Sequence, residues 1–126
     1  MHDQPSVPEL LEAVKRFIDE TAAPNLKGHA AFHARVASNA LATALRDLDA
    51  RPANETSEAA RLRALLNASD TASLEEMNRD LCEQIQSGEI TAETSDLLAH
   101  LKATTIAQVE VDQPRYSGLK TALKTT

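Results

Sequence analysis

The stretch from Gly28 to Ala50 constrains the fold of this chain more than any other. At about 100° per residue, its small and apolar side chains fall on one face that is wider than half of the helix circumference. That face consists of Ala30, His33, Ala34, Ala37, Ala40, Leu41, Ala44, Leu45 and Leu48. A helix that is apolar over most of its surface has to be enclosed by other helices. The stretch therefore predicts the long central helix of an all-α domain, over about 28–50.

The other side of this helix carries a strip of polar side chains that includes Arg35, Asn39 and Arg46. Two interpretations remain open for the strip. It is either a solvated surface or a docking surface, since the planar guanidinium of arginine binds carboxylates and phosphates at two points and is common in interfaces.

Start and stop signals predict the neighbouring helices. Ser6 to Glu9 and Ser73 to Glu76 have the pattern of a capping box, in which two side chains bind the free N–H groups of a helix start. Proline disfavours α conformation in the residue before it, so Pro52 predicts the end of the central helix. A separate short helix is expected over 58–66, and Gly88 is typical of the residue that follows a helix.

A further helix is expected from Thr94 or Ser95, with its inner face formed by Leu97, Leu98, Leu101, Thr105 and Val109. We therefore predict a single compact bundle of five to six helices in one domain, 1–126. The ends, 1–5 and 120–126, are expected to be frayed.

Composition excludes several function classes. The net charge of −6 disfavours nucleic acids and anionic membrane surfaces, because phosphate binding needs clustered basic side chains. No apolar run approaches the roughly 20 residues of a membrane span, and the first residues lack the pattern of a signal peptide. A single cysteine, Cys82, excludes an internal disulfide. These features predict a cytoplasmic protein.

Catalytic motifs are absent from the sequence. It contains no glycine-rich phosphate loop and no nucleophile elbow, so we expect no catalytic residue and no bound cofactor. His29 and His33 have the i, i+4 spacing of two metal ligands, but no third ligand stands nearby. We therefore expect no metal, and His33 turned into the bundle. Cys82 lies on the predicted inner stripe of the helix after Ser73 and is expected to be an inert core thiol.

Two further polar positions are candidates for binding. Asn78 lies in the middle of an apolar stripe, where a buried amide has to find partners. Two interpretations remain open for Asn78. It contacts a partner or a ligand, or it is a structural amide that binds the backbone of another helix or Asn39. The segment from Asp112 to Tyr116 contains Gln113, Arg115 and the single tyrosine, residue types typical of interface anchors. The alternative is that Tyr116 packs on the bundle.

The chain resembles a family of small bacterial proteins catalogued as a domain of unknown function. The resemblance covers nearly the whole chain, and it depends on the order and spacing of several segments together. These are Pro8–Val14, Phe32–Leu41, Leu74–Cys82, His100–Thr105 and Asp112–Tyr116.

That family is similar to companions of aminoglycoside-phosphotransferase-like kinases and acyl-CoA dehydrogenases. One branch is similar to the small subunit of the kinase that phosphorylates 4-hydroxyacyl-CoA thioesters in levulinate breakdown. The resemblance implies a non-catalytic accessory subunit of such a kinase in acyl-CoA catabolism. Two alternatives remain, a free-standing helical oligomer with a structural role and a metal-binding protein that uses His29 and His33.

Overall fold

A computed structural model describes residues 4–124, and this part of the chain is all α-helical without a strand. A π-helical turn, Ile18–Ala22, and a 3-10 turn, Ala23–Asn25, follow the first helix. The five α-helices are α1, Val7–Phe17; α2, Gly28–Leu66; α3, Leu74–Ser87; α4, Leu97–Asp112; and α5, Ser117–Lys124. The prediction of an all-α fold is confirmed.

Both predicted capping boxes are present. At the start of α1, the Ser6 N–H donates to a Glu9 carboxylate oxygen at 2.6 Å, and the Glu9 N–H donates to Ser6 Oγ at 3.4 Å. Ser73 and Glu76 repeat this arrangement at the start of α3, at 2.8 and 3.2 Å. These reciprocal bonds satisfy N–H groups that have no partner within their helix.

The predicted end of the central helix at Pro52 is wrong, because α2 continues through it to Leu66. Proline inside a helix loses one backbone hydrogen bond and costs about 3 kcal/mol. The helix forms in spite of that cost because its C-terminal part brings Leu62 into the core. Thr56 also donates a side-chain hydrogen bond to the Pro52 carbonyl, at 2.8 Å. Tertiary packing therefore overrides the local propensity.

The chain divides into two compact units, one up to Ala50 and one from Arg51 onward. In the first unit, the buried position among residues 4–50 is Ser38, which precedes Asn39 of the polar strip. Hydrogen bonds from Lys15, at 2.7 Å, and from Ser38 lower the pKa of the Asp19 carboxyl. The broad apolar face is exposed or half-buried, so the prediction that other helices enclose this stretch is wrong over residues 28–50.

The second unit contains the hydrophobic core. Its buried members come from the end of α2, from α3, from the following loop and from the start of α4. They are Leu62, Met77, Leu81, Ile90 and Leu97. Partly buried side chains such as Leu65, Leu66 and Leu74 pack against this cluster, so the segment 58–66 packs on the core as part of the longer α2.

Our prediction of the inner face of α4 is confirmed for Leu97 and wrong for Leu98, Leu101 and Thr105. Leu97, His100 and Val111 are buried, whereas Leu98 is 62% exposed and Leu101 is also exposed. Apolar residues are spread around the whole of α4, so periodicity does not select a face. As a result, His100 rather than Leu101 lies on the buried side of α4.

The C-terminal segment is more ordered than expected. The chain leaves α4 at Gln113 and turns, with the Tyr116 N–H donating to the Gln113 carbonyl at 2.8 Å. It then forms α5, which packs against α4 and buries Leu119. The predicted fraying is therefore wrong for residues 120–124, while 1–3 and 125–126 lie outside the described residues. Within residues 4–124, no helix combines the length and the apolar character that crossing a bilayer requires.

Gly88 gives a simple test of the end of α3. Its φ is +80°, and a Cβ added there meets nothing within 4 Å, so the cost of Gly88→Ala is purely conformational. We expect a loss of about 1–2 kcal/mol in the free energy of unfolding. Gly88→Asn should lose less, since asparagine tolerates this conformation. Urea denaturation measures both variants, and an equal loss in the two would contradict this explanation.

Candidate functional site

A groove between α2 and α4 in the second unit is the most distinctive polar feature of the structure. Two cavities form this α2–α4 groove, with volumes of about 200 and 250 Å³, and Arg61 lines both of them. The smaller cavity lies at the N-terminal end of α4, where Asp96 and His100 line its wall. The larger cavity extends along α4 as far as Glu110.

His100 is the buried polar side chain of this groove. It is 3% exposed, and its Nδ1 atom has no hydrogen-bond partner. Burial is the main cause that lowers the pKa of the His100 imidazole, and the charge of Arg61 lowers it further, whereas Glu58 acts in the opposite direction. His100 is therefore held neutral beside a cation.

Arg61 is half-buried and has an incomplete set of partners. Its Nη2 donates to Thr104 Oγ1 at 3.3 Å, and its buried Nε has no acceptor. Within the described part of the chain, no carboxylate lies within ion-pair distance of this guanidinium. An uncompensated cation at the wall of a cavity is costly unless something pairs with it.

Asn78 is a structural amide. Its Nδ2 donates to Glu58 Oε1 at 3.0 Å and to the Leu74 carbonyl at 3.2 Å. The amide thus joins α3 to α2, as one of our two interpretations held, although its partner on the other helix is a carboxylate rather than the backbone or Asn39. The bond also engages Glu58, the carboxylate that acts on His100.

The candidate residues of the polar strip lie in the first unit. Arg35 and Asn39 are exposed. Arg46 is half-buried, and its guanidinium donates to Thr43 Oγ1 at 3.0 Å, one turn back on the same helix. Arg35 and Asn39 are therefore available to a partner, while at least one nitrogen of Arg46 is engaged within α2.

Gln113, Arg115 and Tyr116 lie in the second unit, and all three are exposed. Tyr116 is 56% exposed, and its ring lines a shallow apolar groove of about 100 Å³ between α4 and α5. A Cβ added at Gly118 would come within 2.6 Å of this ring, so the absence of a side chain at Gly118 leaves room for it. Tyr116 thus packs partly on the helices and stays largely open.

The predicted burial of His33 and Cys82 is wrong, since both side chains are exposed. His33 instead places its ring edge against Phe32, with the centroids 5.5 Å apart, and His29 is exposed as well. Within residues 4–124, no group of three potential ligands is placed to hold a metal ion. The i, i+4 histidine pair thus lies on the surface of the first unit.

The first unit also exposes a row of large apolar side chains on α1. This α1 face consists of Val7, Leu10, Val14 and Phe17, which follow each other at helical spacing and are each at least half exposed. Leu11 and Ile18, which adjoin this row at i+4 from Val7 and Val14, are half-buried. This exposed apolar row is a candidate interaction surface.

Residues 24–116 match the family described as a domain of unknown function, DUF6285. The chain belongs to the DUF6285 family. No curated protein and no solved structure matches it. The DUF6285 match contains α2, α3 and α4, whereas α1 precedes it and α5, whose Leu123 lines the larger cavity, follows it.

Sequence reasoning missed the groove. Arg61 and Thr104 received no role, because the helix around Arg61 was interpreted only through its leucines. His100 entered only as part of a familiar segment. One signal was available in the DUF6285 sequence: a histidine, His100, stands where the spacing from Leu97 predicts an inward position.

The titration of His100 tests the electrostatics of this site. The pKa of His100 is lower in the folded chain than in the unfolded chain, so the unfolded chain binds a proton at His100 at a higher pH. The free energy of unfolding therefore decreases as the pH falls below about 6.5. Arg61→Gln removes a cation beside the imidazole and should raise the folded-state midpoint. Glu58→Gln should lower it. Nuclear magnetic resonance of the imidazole measures both midpoints, and a fall in the Arg61 variant would contradict the assignment.

Proposed function

We propose that this chain is a non-catalytic accessory subunit of a phosphotransferase-type kinase that acts on a hydroxyacyl-CoA or a related small molecule. The resemblance described above supports this proposal. An acyl-CoA dehydrogenase of the same pathway is a second proposed partner. The sequence supports the non-catalytic role, because it contains no glycine-rich loop for a nucleotide phosphate.

The α1 face is the observation that carries the proposal. Four large apolar side chains on one short helix are exposed, and Phe17 at its end is 59% exposed. Burial of apolar surface is the main favourable contribution to most protein–protein association. A chain that acts by docking requires such a surface, and we assign the kinase as its occupant.

Candidate polar anchors lie in each of the two units. Arg35 and Asn39 lie one turn apart on α2 in the first unit, and Arg115 and Tyr116 form an exposed corner in the second. We propose that both places contact the kinase. The guanidinium groups are suited to carboxylates of the partner, because the planar fork binds two oxygens at once.

Co-purification tests the proposed partnership. The full-length chain is expressed with a candidate kinase from its genomic neighbourhood, and size-exclusion chromatography with light scattering determines the composition of the product. The proposal expects a complex that contains both chains. A homo-oligomer with the kinase eluting separately would favour the free-standing structural role, and stoichiometric zinc or iron lost on His33→Ala would favour the metal protein.

Two substitutions test the polar anchors. Arg35→Ala and Tyr116→Ala should each weaken kinase binding by about 1–3 kcal/mol. Both residues are exposed, so the stability of the chain should change by only about 0.5 kcal/mol. Calorimetric affinity and melting temperature are measured together. Unchanged affinity in both variants, with melting lowered only for Tyr116→Ala, would show an ordinary helix surface at these positions.

A further inference from the structure

We infer that the α2–α4 groove is a binding site for a small organic oxyanion, a carboxylate or a phosphate monoester, which is anchored by Arg61. This inference does not depend on the kinase partnership, since none of the residues proposed to contact the kinase lines the groove.

The incomplete partners of Arg61 are the first support. The guanidinium is half-buried, donates to a neutral hydroxyl on Thr104 and retains an Nε–H without an acceptor. Arginine binds carboxylates and phosphates through two parallel N–H donors. Arg61 lines the cavity wall, so an oxyanion there would supply the missing negative charge.

His100 and the start of α4 are the second support. His100 lines the same cavity, is more than nine-tenths buried and has no partner at Nδ1. The cavity also contacts Asp96, the residue before the first turn of α4, whose side chain makes no capping bond. The first N–H groups of a helix and its dipole favour an anion, so three features act on one bound group.

The size and walls of the groove define the class of ligand. The cavity of about 200 Å³ has Ala64, Leu65 and Ala99 in its wall, which suits the apolar part of a small organic molecule. It is too small for a polymer segment. The larger cavity, reached past Arg61, adds about 250 Å³.

A carboxylate in the cavity wall limits the number of negative groups that a ligand of the site can carry. Glu58 is engaged by the Asn78 amide, whereas Asp96 lines the cavity. Since like charges repel at short distance, Asp96 opposes a second negative group on the ligand. We therefore assign the site to ligands with one small anionic group at the Arg61 end.

Titration of the full-length chain with inorganic phosphate and with acetate tests the inference. Binding is followed by the imidazole resonances of His100, and a saturable shift at millimolar concentration is expected. Arg61→Gln should weaken binding about tenfold or more, since it removes charge-assisted hydrogen bonds. The matched control is Arg63→Gln. Arg63 lies on the same helix and also has a buried Nε without a partner, and it should bind within about twofold of the native chain.

The relative affinities for acetate and phosphate distinguish the two ligand types, and the variants test whether Arg61 anchors the ligand. Tighter binding of acetate identifies a carboxylate as the ligand group, and tighter binding of phosphate identifies a phosphate monoester. Arg61→Lys keeps the charge without the planar fork and should bind the anion with intermediate affinity. If circular dichroism shows that Arg61→Gln is unfolded, the affinity of Arg61→Lys is used instead to test the role of Arg61. No saturable shift with either anion, or equal loss in the Arg61 and Arg63 variants, would overturn the inference.

Discussion

Replacement of Leu62 by alanine is expected to lower the free energy of unfolding by about 2–5 kcal/mol. The side chain is 0% exposed and packs with Met77 and Leu81 in the core of the second unit. Its truncation removes apolar contacts and leaves a cavity that tightly packed neighbours do not fill. Natural domains are stable by only about 5–15 kcal/mol, so this change is a large fraction of the total.

Leu98→Ala is the matched control for this prediction. It makes the same chemical change at a position that is 62% exposed, and it should cost no more than about 0.5 kcal/mol. Urea denaturation followed by far-ultraviolet circular dichroism measures both variants. Equal losses would mean that α4 turns its other side to the core, as we first predicted from the sequence.

Removal of the apolar side chains of the α1 face is expected to have the largest effect on kinase binding. The double variant Val14→Ser and Phe17→Ser should weaken binding by about 2 kcal/mol or more, which is about thirtyfold. Both side chains are at least half exposed, so folding should be little affected.

The control for the α1 face is Arg16→Ser. Arg16 is exposed and lies beside Phe17 in sequence but on another side of the helix, so its loss should leave the affinity within about twofold. Isothermal titration calorimetry with the kinase compares the variants. If both weaken binding equally, the effect is one of charge or helix stability, and the α1 face is not the docking surface.

Local signals predicted the helix starts well and one helix end poorly. Each capping box depends on two side chains three residues apart, so sequence alone determines it. The course of α2 through Pro52 depends on the packing of Leu62 against α3. That contact joins residues distant in the chain, and it is invisible in the local pattern.

The groove could not be predicted because its residues meet only in three dimensions. The apolar residues of α4 surround the helix, so periodicity could not distinguish the predicted inner face with Leu101 from a second one with His100. Packing selected the second. The exposure of the α1 face was equally hidden, because an apolar stripe in sequence predicts burial without saying whether the chain itself or a partner provides it.

The most direct test of the accessory-subunit proposal is a turnover measurement on the purified candidate kinase. ATP-dependent phosphorylation of a hydroxyacyl-CoA is measured with the kinase alone, with this chain alone, and with both chains together. The proposal predicts no turnover by this chain alone and a large gain when it is added to the kinase, with the gain reduced by the α1-face double variant. Full activity of the kinase alone, or turnover by this chain alone that a point mutation within it abolishes, would contradict the proposal.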